Sequence, residues 1–248
     1  LLIRLHGRNA SHVVAIGPAP GTPPPPGDPR PVQQIFRQLW AWPSSTIEEQ
    51  RPDVHSPFAP ARLTDDLVVL TWPAPPGDPV DYRDRANPND ERHELVVLSL
   101  SAEGKLVDER GHAEEPTDRD DGEPELATLS FCGKPFVDGR AVYVTAVRVS
   151  GRGADTTELH VCRFDFVPAG REGRLHLRWR RHLLDGRAIA PATFGAAGIP
   201  ELGPSVALPS APIVRAGRVF VASNTGAVAC LEATTGRPEC RCHVATAL

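Results

Sequence analysis

Apolar and other residues alternate along Arg218 to Ser223. Val219, Val221 and Ser223 fall on one face and Phe220 and Ala222 on the other, the two-residue period of a strand. Asn224, Thr225 and Gly226 follow, residue types that tolerate a positive φ in a tight hairpin, and Ala227 to Leu231 supplies a second apolar run. Thr235-Gly236 can then turn the chain into a third strand. The stretch RVFVASNTGAVACLEATTGRP, Arg218 to Pro238, is thus predicted to be a small antiparallel meander.

The scheme recurs upstream. GKPFVDGRAVYVTAVRV (Gly133 to Val149) matches APIVRAGRVFVAS (Ala211 to Ser223): a proline, a short apolar strand, a Gly-Arg turn, then an alternating strand with an early aromatic. Thr156 to Leu183 supplies the return strand, a turn around Gly170 to Gly173 and a final strand ending in Trp179. A further copy runs from Phe58 to Trp72, with Asp65-Asp66 at its turn, and continues through Arg92 to Arg110. A truncated one begins LLIRLHGRNASHVVAI, whose SHVVAI aligns with HELVVLSL, TELHVCRF and GAVACLEA. In PVQQIFRQLWAW (Pro31 to Trp42), Ile35, Phe36, Leu39 and Trp40 share one face of a helix, but the stretch equally fits the last strand of the first unit, ending in tryptophan.

The units would span 1–43, 58–110, 129–184 and 204–248, a period of about 65 to 80 residues, longer than the common propeller repeats. Insertions such as PAPPGDPVDYRDRANPNDER and GHAEEPTDRDDGEPE account for the excess. A lone meander cannot bury both of its apolar faces, so the expected fold is all-β, a partial β-propeller of three to four antiparallel four-stranded blades with long inserted loops.

Composition sharpens this. The 248 residues include 27 Pro and 21 Gly, concentrated in stretches such as Gly17 to Pro31 that belong outside helices and central strands. Net charge is −4, so the concentrated basic footprint of a nucleic-acid binder is missing. Lys105 and Lys134 are the lysines; arginine supplies the other basic residues, a bias read as genomic. There is no Met, and the chain opens inside an apolar run, as expected of a piece of a longer bacterial protein. No apolar run approaches bilayer-spanning length.

Five cysteines, Cys132, Cys162, Cys230, Cys240 and Cys242, are odd in number and irregularly spaced, which leaves the redox compartment open. Cys162 and Cys230 lie in strand-like runs, where a buried thiol acts as a small apolar residue. Cys240, Cys242 and His243 form C-x-C-H, which lacks a second ligand pair for a closed zinc site.

Pro212 to Arg237 resembles the pyrroloquinoline-quinone-like (PQQ-like) β-propeller repeat, through AGRVFVAS, Gly-Ala-Val-Ala-x-Leu and Ala-Thr-Thr-Gly-Arg; Lys134 to Leu183 resembles it less closely, through DGRAVYV. Such repeats occur in quinoprotein alcohol dehydrogenases, in an outer-membrane assembly lipoprotein, and beside some bacterial protein kinase domains. The resemblance implies that a tryptophan near the end of each unit docks on the neighbouring blade. Trp179 fits that position, while Asp108 and Cys240 stand in it elsewhere.

The dehydrogenases of that family would bring a vicinal disulfide, a tryptophan platform and an aspartate base beside calcium. No two cysteines are adjacent here, and Asp165 and Asp185 are isolated carboxylates without a partner to poise them. His93-Glu94 has Val97 where a second zinc histidine would belong. Asp118 to Glu125 departs from a calcium loop at Thr117 and Arg119. Asn9 to Ser11 is a chance-level glycosylation acceptor. No catalytic, cofactor-binding or metal-binding residue is therefore assigned. The expectation is a non-catalytic module that recognises a protein or ligand on a propeller face, with the cell envelope or periplasm implied by the resemblance alone. The alternatives are a degenerate quinoprotein dehydrogenase and a sensor propeller fused to a catalytic domain such as a kinase. A partial propeller expressed alone is expected to self-associate through unpaired edges.

Overall fold

The computed structural model describes residues 2–6, 11–18, 36–42, 60–73, 93–100, 106–110, 126, 129–150, 156–169, 172–187, 209–223 and 226–243. Alternating, β-branched segments bounded by Gly, Pro and Asp form strands throughout these residues. They are β1 (Leu2–His6), β2 (Ser11–Pro18), β3 (Phe36–Trp42), β4 (Ala61–Arg62), β5 (Leu67–Pro73), β6 (His93–Ser99), β7 (Leu106–Arg110), β8 (Ser130–Asp138), β9 (Ala141–Ser150), β10 (Thr156–Ala169), β11 (Glu172–Arg187), β12 (Ile213–Arg215), β13 (Arg218–Ala222), β14 (Ala227–Glu232) and β15 (Pro238–His243).

Neighbours in sequence are neighbours in space. The first sheet is β1-β2-β3; the second, third and fourth are four-stranded meanders, β4 to β7, β8 to β11 and β12 to β15, antiparallel throughout. The protein is all-β, with no α-helix among the described residues. The segment at Phe36–Trp42 is a strand, paired antiparallel with β2 from Val13 opposite Trp42 to Pro18 opposite Phe36. β11 runs eight residues beyond Trp179, further than its sequence pattern indicates, because β10 pairs with it as far as Arg187.

The turns follow residue chemistry. Ala216 and Gly217 join β12 to β13 as a two-residue hairpin, both at positive φ (51° and 73°), the conformation that matches strand twist. Gly139 (φ 59°) opens the corresponding turn of the third sheet. Thr64 holds the turn after β4, its hydroxyl accepting from the amides of Asp66 and Leu67 (3.2 and 3.0 Å).

The sheets stack face to face in chain order, each pair enclosing an apolar layer. Val13 and Ala15 of the first sheet meet Val68, Leu70, Trp72, Val96 and Leu98 of the second. The opposite face of that second sheet carries Val69, Leu95 and Val97, which pack against Val142, Val144, Cys162, Phe164 and Leu175 of the third. The far face of the third carries Tyr143, Leu159, Val161 and Trp179 and packs on Val219, Val221, Ala229 and Leu231 of the fourth. Residues 142 and 144 thus face one neighbour and 143 the other, so the strand period lets one sheet serve two cores.

All four sheets share one irregularity. Between the penultimate and last strands the register slips by one residue: at Leu39 in the first sheet, Val107 in the second, Arg178 in the third and Glu239 in the fourth. This is a β-bulge, a one-residue slip of the kind that changes which face the next side chains take. The residues just past it are Trp40, Asp108, Trp179 and Cys240, paired with Ala15, Val97, Arg163 and Cys230. In the third sheet the effect is plain: Leu175 and Leu177 pack toward the second sheet, and two residues later Trp179 packs toward the fourth.

Candidate functional site

A seam rich in side-chain hydrogen bonds lies between the third and fourth sheets, and it is built from the turn Ala233-Thr234-Thr235-Gly236. The turn is closed internally by the Gly236 amide donating to the Glu232 carbonyl (2.8 Å) and the Glu232 amide donating to that of Arg237 (2.9 Å). The Thr235 hydroxyl adds a bond to the Glu232 carboxylate (2.7 Å). With these bonds made, the carbonyls of residues 233 to 236 point outward and accept from the third sheet.

Four side chains donate to them. Trp179 Nε1 reaches the Ala233 oxygen at 3.1 Å, Arg163 Nη1 reaches it at 2.9 Å and the Tyr143 hydroxyl at 3.4 Å. Arg163 Nη1 also reaches the Thr234 oxygen (3.2 Å), and Arg181 spans the Thr235 and Gly236 oxygens (3.1 and 3.2 Å). Burying an aromatic with a polar tip requires such a partner, and here the indole supplies both apolar area and a donor. The Arg163 guanidinium lies 5.7 Å from the Tyr143 ring centroid, and the Tyr143 and Trp179 rings are 6.1 Å apart. Gly236 is at φ 70°, and a Cβ there would fall 2.6 Å from Trp179 Cδ2, so glycine is required for conformation and for clearance.

Toward the opposite end of the fourth sheet, where β13 turns into β14, the same seam opens into an apolar cavity of about 250 Å³. Leu159, Leu183 and Leu184 of the third sheet line it with Val221 and Ala229 of the fourth, and Arg241 is its charged member. The Arg241 guanidinium donates to the His182 carbonyl across the seam (3.4 Å).

Several charged groups elsewhere among the described residues are held in ion pairs. Asp165 is clamped by Arg163 (3.1 Å) and Arg178 (2.7 Å), an arrangement that orients the arginine of the seam. Asp185 pairs with His182 at an exposed position (2.8 Å). His160, 2% exposed, contacts Glu158 through Nε2 (3.2 Å) and the His182 ring at 5.3 Å, while its Nδ1 is buried without a hydrogen-bond partner. Burial is the main force lowering its pKa, and the neighbouring His182 and Arg180 act in the same direction against Glu158. Burial pushes the Cys132 thiol up to about 12, while its contact with the Thr145 hydroxyl acts the other way.

The positions singled out by sequence are scattered. Asp165 and Asp185 do not share a site, and His93-Glu94 lies on strand β6 rather than on a helix. Cys240 and Cys242 are exposed on β15. Asp118 to Glu125 and Asn9 lie outside the described residues. The docking role of Trp179 was visible through the repeat pattern; those of Arg163 and Arg181 were not, because an arginine in an alternating strand looks like any solvated residue.

No family model matches the chain, and no curated protein matches it. Among solved structures it is similar to BamB from Moraxella catarrhalis, at 14% identity over 62% of this chain and 47% of that one, with a TM-score of 0.21. The chain thus matches about half the length of that protein. At such a TM-score little of the two backbones superposes, and the order of the sheets is known from this chain's own pairing and packing. No helix among the described residues is long and apolar enough to cross a membrane.

Proposed function

We propose that the chain is a non-catalytic, propeller-type binding or scaffold module that presents its loops to a protein or ligand partner. The observation that supports this is where the polar side chains of the seam go: Arg163, Arg181, Trp179 and Tyr143 all join one sheet to the next through the 233–236 carbonyls, and Asp165 holds Arg163 in place. Groups tied into a framework in this way are poorly placed to move protons or bind a reacting atom. The strand-connecting segments are the natural binding elements of such a scaffold. The repeat resemblance favours the cell envelope as its location.

The competing reading is a quinoprotein dehydrogenase, and one experiment separates the two. The chain is mixed with pyrroloquinoline quinone and calcium, then assayed for saturable quinone binding and for oxidation of short alcohols. Neither is expected; saturable binding with turnover would overturn the scaffold reading.

A further inference from the structure

The outer face of the fourth sheet repeats the docking row of the third with different chemistry. In the third sheet the row across the strands is Phe136, Tyr143, Arg163, Trp179; in the fourth it is Ile213, Phe220, Cys230, Cys240, in the same register and with the same bulge beside the last member. Cys230 and Cys240 are therefore directly opposed on adjacent antiparallel strands, and their side chains share one face. Directly opposed residues have Cα atoms about 4.5 to 5.5 Å apart, inside the range a disulfide spans. Both thiols are free.

We infer that Cys230 and Cys240 form a redox-reactive dithiol, a covalent modification site that reacts with small-molecule disulfides and closes into a cross-strand bridge at the docking position. Exposure sets the order of events: Cys240 is open to solvent, whereas Cys230 is 4% exposed. The Cys230 thiol faces Glu239 Oε2 (3.8 Å), whose carboxylate is paired with Arg218. Burial first, then the adjacent Cys240 thiol and the Glu239 carboxylate, push Cys230 up to about 11, so near neutral pH it is mostly in the thiol form.

The chemistry balances as ordinary thiol–disulfide exchange. The Cys240 thiolate attacks one sulfur of the external disulfide, forming a mixed disulfide and expelling one thiolate. Cys230 then attacks the Cys240 sulfur, expelling the second. The two protons of the protein thiols pass to the two leaving thiolates, so protein dithiol plus external disulfide yields protein disulfide plus two thiols. Closure would tie β15 to β14 at the position where the third sheet carries its docking tryptophan. Cys242, two residues along the same strand and opposite Val228, lacks a sulfur across from it.

The test uses the reduced 248-residue chain and oxidised glutathione. Cleavage after Glu232 and Arg241 places Cys230, Cys240 and Cys242 on three separate peptides. The expected product joins the Cys230 and Cys240 peptides, with the same linkage in Cys242→Ser. Cys230→Ser should stop at a mixed disulfide on Cys240, and Cys240→Ser, a change at an exposed position, should leave Cys230 unmodified in the folded chain. A bridge between Cys240 and Cys242, linkage only between chains, or glutathione added to Cys230 in Cys240→Ser would each overturn the inference.

Discussion

The third and fourth sheets carry the same row of four positions, and the two rows have different fates. Phe136, Tyr143, Arg163 and Trp179 are covered by the fourth sheet, and three of them donate a hydrogen bond to the Ala233 carbonyl. Ile213, Phe220, Cys230 and Cys240 occupy the equivalent register, yet Ile213 is 59% and Phe220 38% exposed. Position in the repeat decides which way a side chain points; its chemistry decides what it can hold. The Trp179 indole reaches across a seam and finds a carbonyl, whereas the Cys240 thiol at the matching position stands opposite another thiol, Cys230.

The strongest way to break this contrast is to remove the docking group. Trp179→Ala should cost about 3 to 5 kcal/mol in urea or thermal unfolding of the chain, from lost apolar burial, the cavity left behind and the Ala233 bond. Cys240→Ala, at the matching position, should change stability by less than about 0.5 kcal/mol under reducing conditions. Comparable losses at both positions would mean that the two rows are not as different as their packing indicates.

Gly236→Ala tests the receiving side of the same seam. A left-handed φ costs an alanine roughly 1 to 2 kcal/mol. The contact with the Trp179 ring adds to it, so a total of about 2 to 4 kcal/mol is expected, of the order seen for strain and overpacking. In a Trp179→Ala background the steric part should vanish, which a double-mutant cycle would read as coupling between the two positions.

A pH titration sharpens the comparison from the opposite face of the third sheet. The His160 pKa is lowered in the fold from 6.5, chiefly by burial, so the unfolded chain takes up its proton first as pH falls. Its contribution is present above about pH 6.5 and is lost progressively below it, as the pH falls through the depressed folded value. Stability should therefore decline on acidification in that window, and His160→Gln should flatten the decline. A pH profile identical to that of the parent would remove His160 from the account.

The smallest effect concerns the hairpin that begins the fourth sheet. Ala216 sits at φ 51°, a conformation glycine adopts without penalty, and Ala216→Gly should raise stability by up to about 1 kcal/mol in the same unfolding assay. No change in the exposure of Phe220 is expected.

Much of this fold was legible in the sequence because its signals are local. The alternation of Val219, Val221 and their neighbours, and the turn residues at Gly139, Gly217, Gly226 and Gly236, act over two to four residues and specify antiparallel meanders directly. The segment Phe36–Trp42 was ambiguous for the opposite reason: its apolar run fits two periods, and only pairing with β2 selects the strand. The docking position of Trp179 was visible through the repeat, but the bulge at Arg178 that turns it toward the fourth sheet was not. Trp179 follows Leu175 and Leu177 at strict two-residue spacing, and simple alternation would place all three on one face.

The sequence by itself determined the all-β class, the meander order and the turns, since alternation and positive-φ residues are properties of short segments. Tertiary structure decided which core each face enters, which carbonyls receive Arg163 and Arg181, and that Cys230 stands opposite Cys240. These depend on register between strands and on packing between sheets. Both are long-range choices in which a slip of one residue reverses a face while leaving the local hydrophobic pattern unchanged.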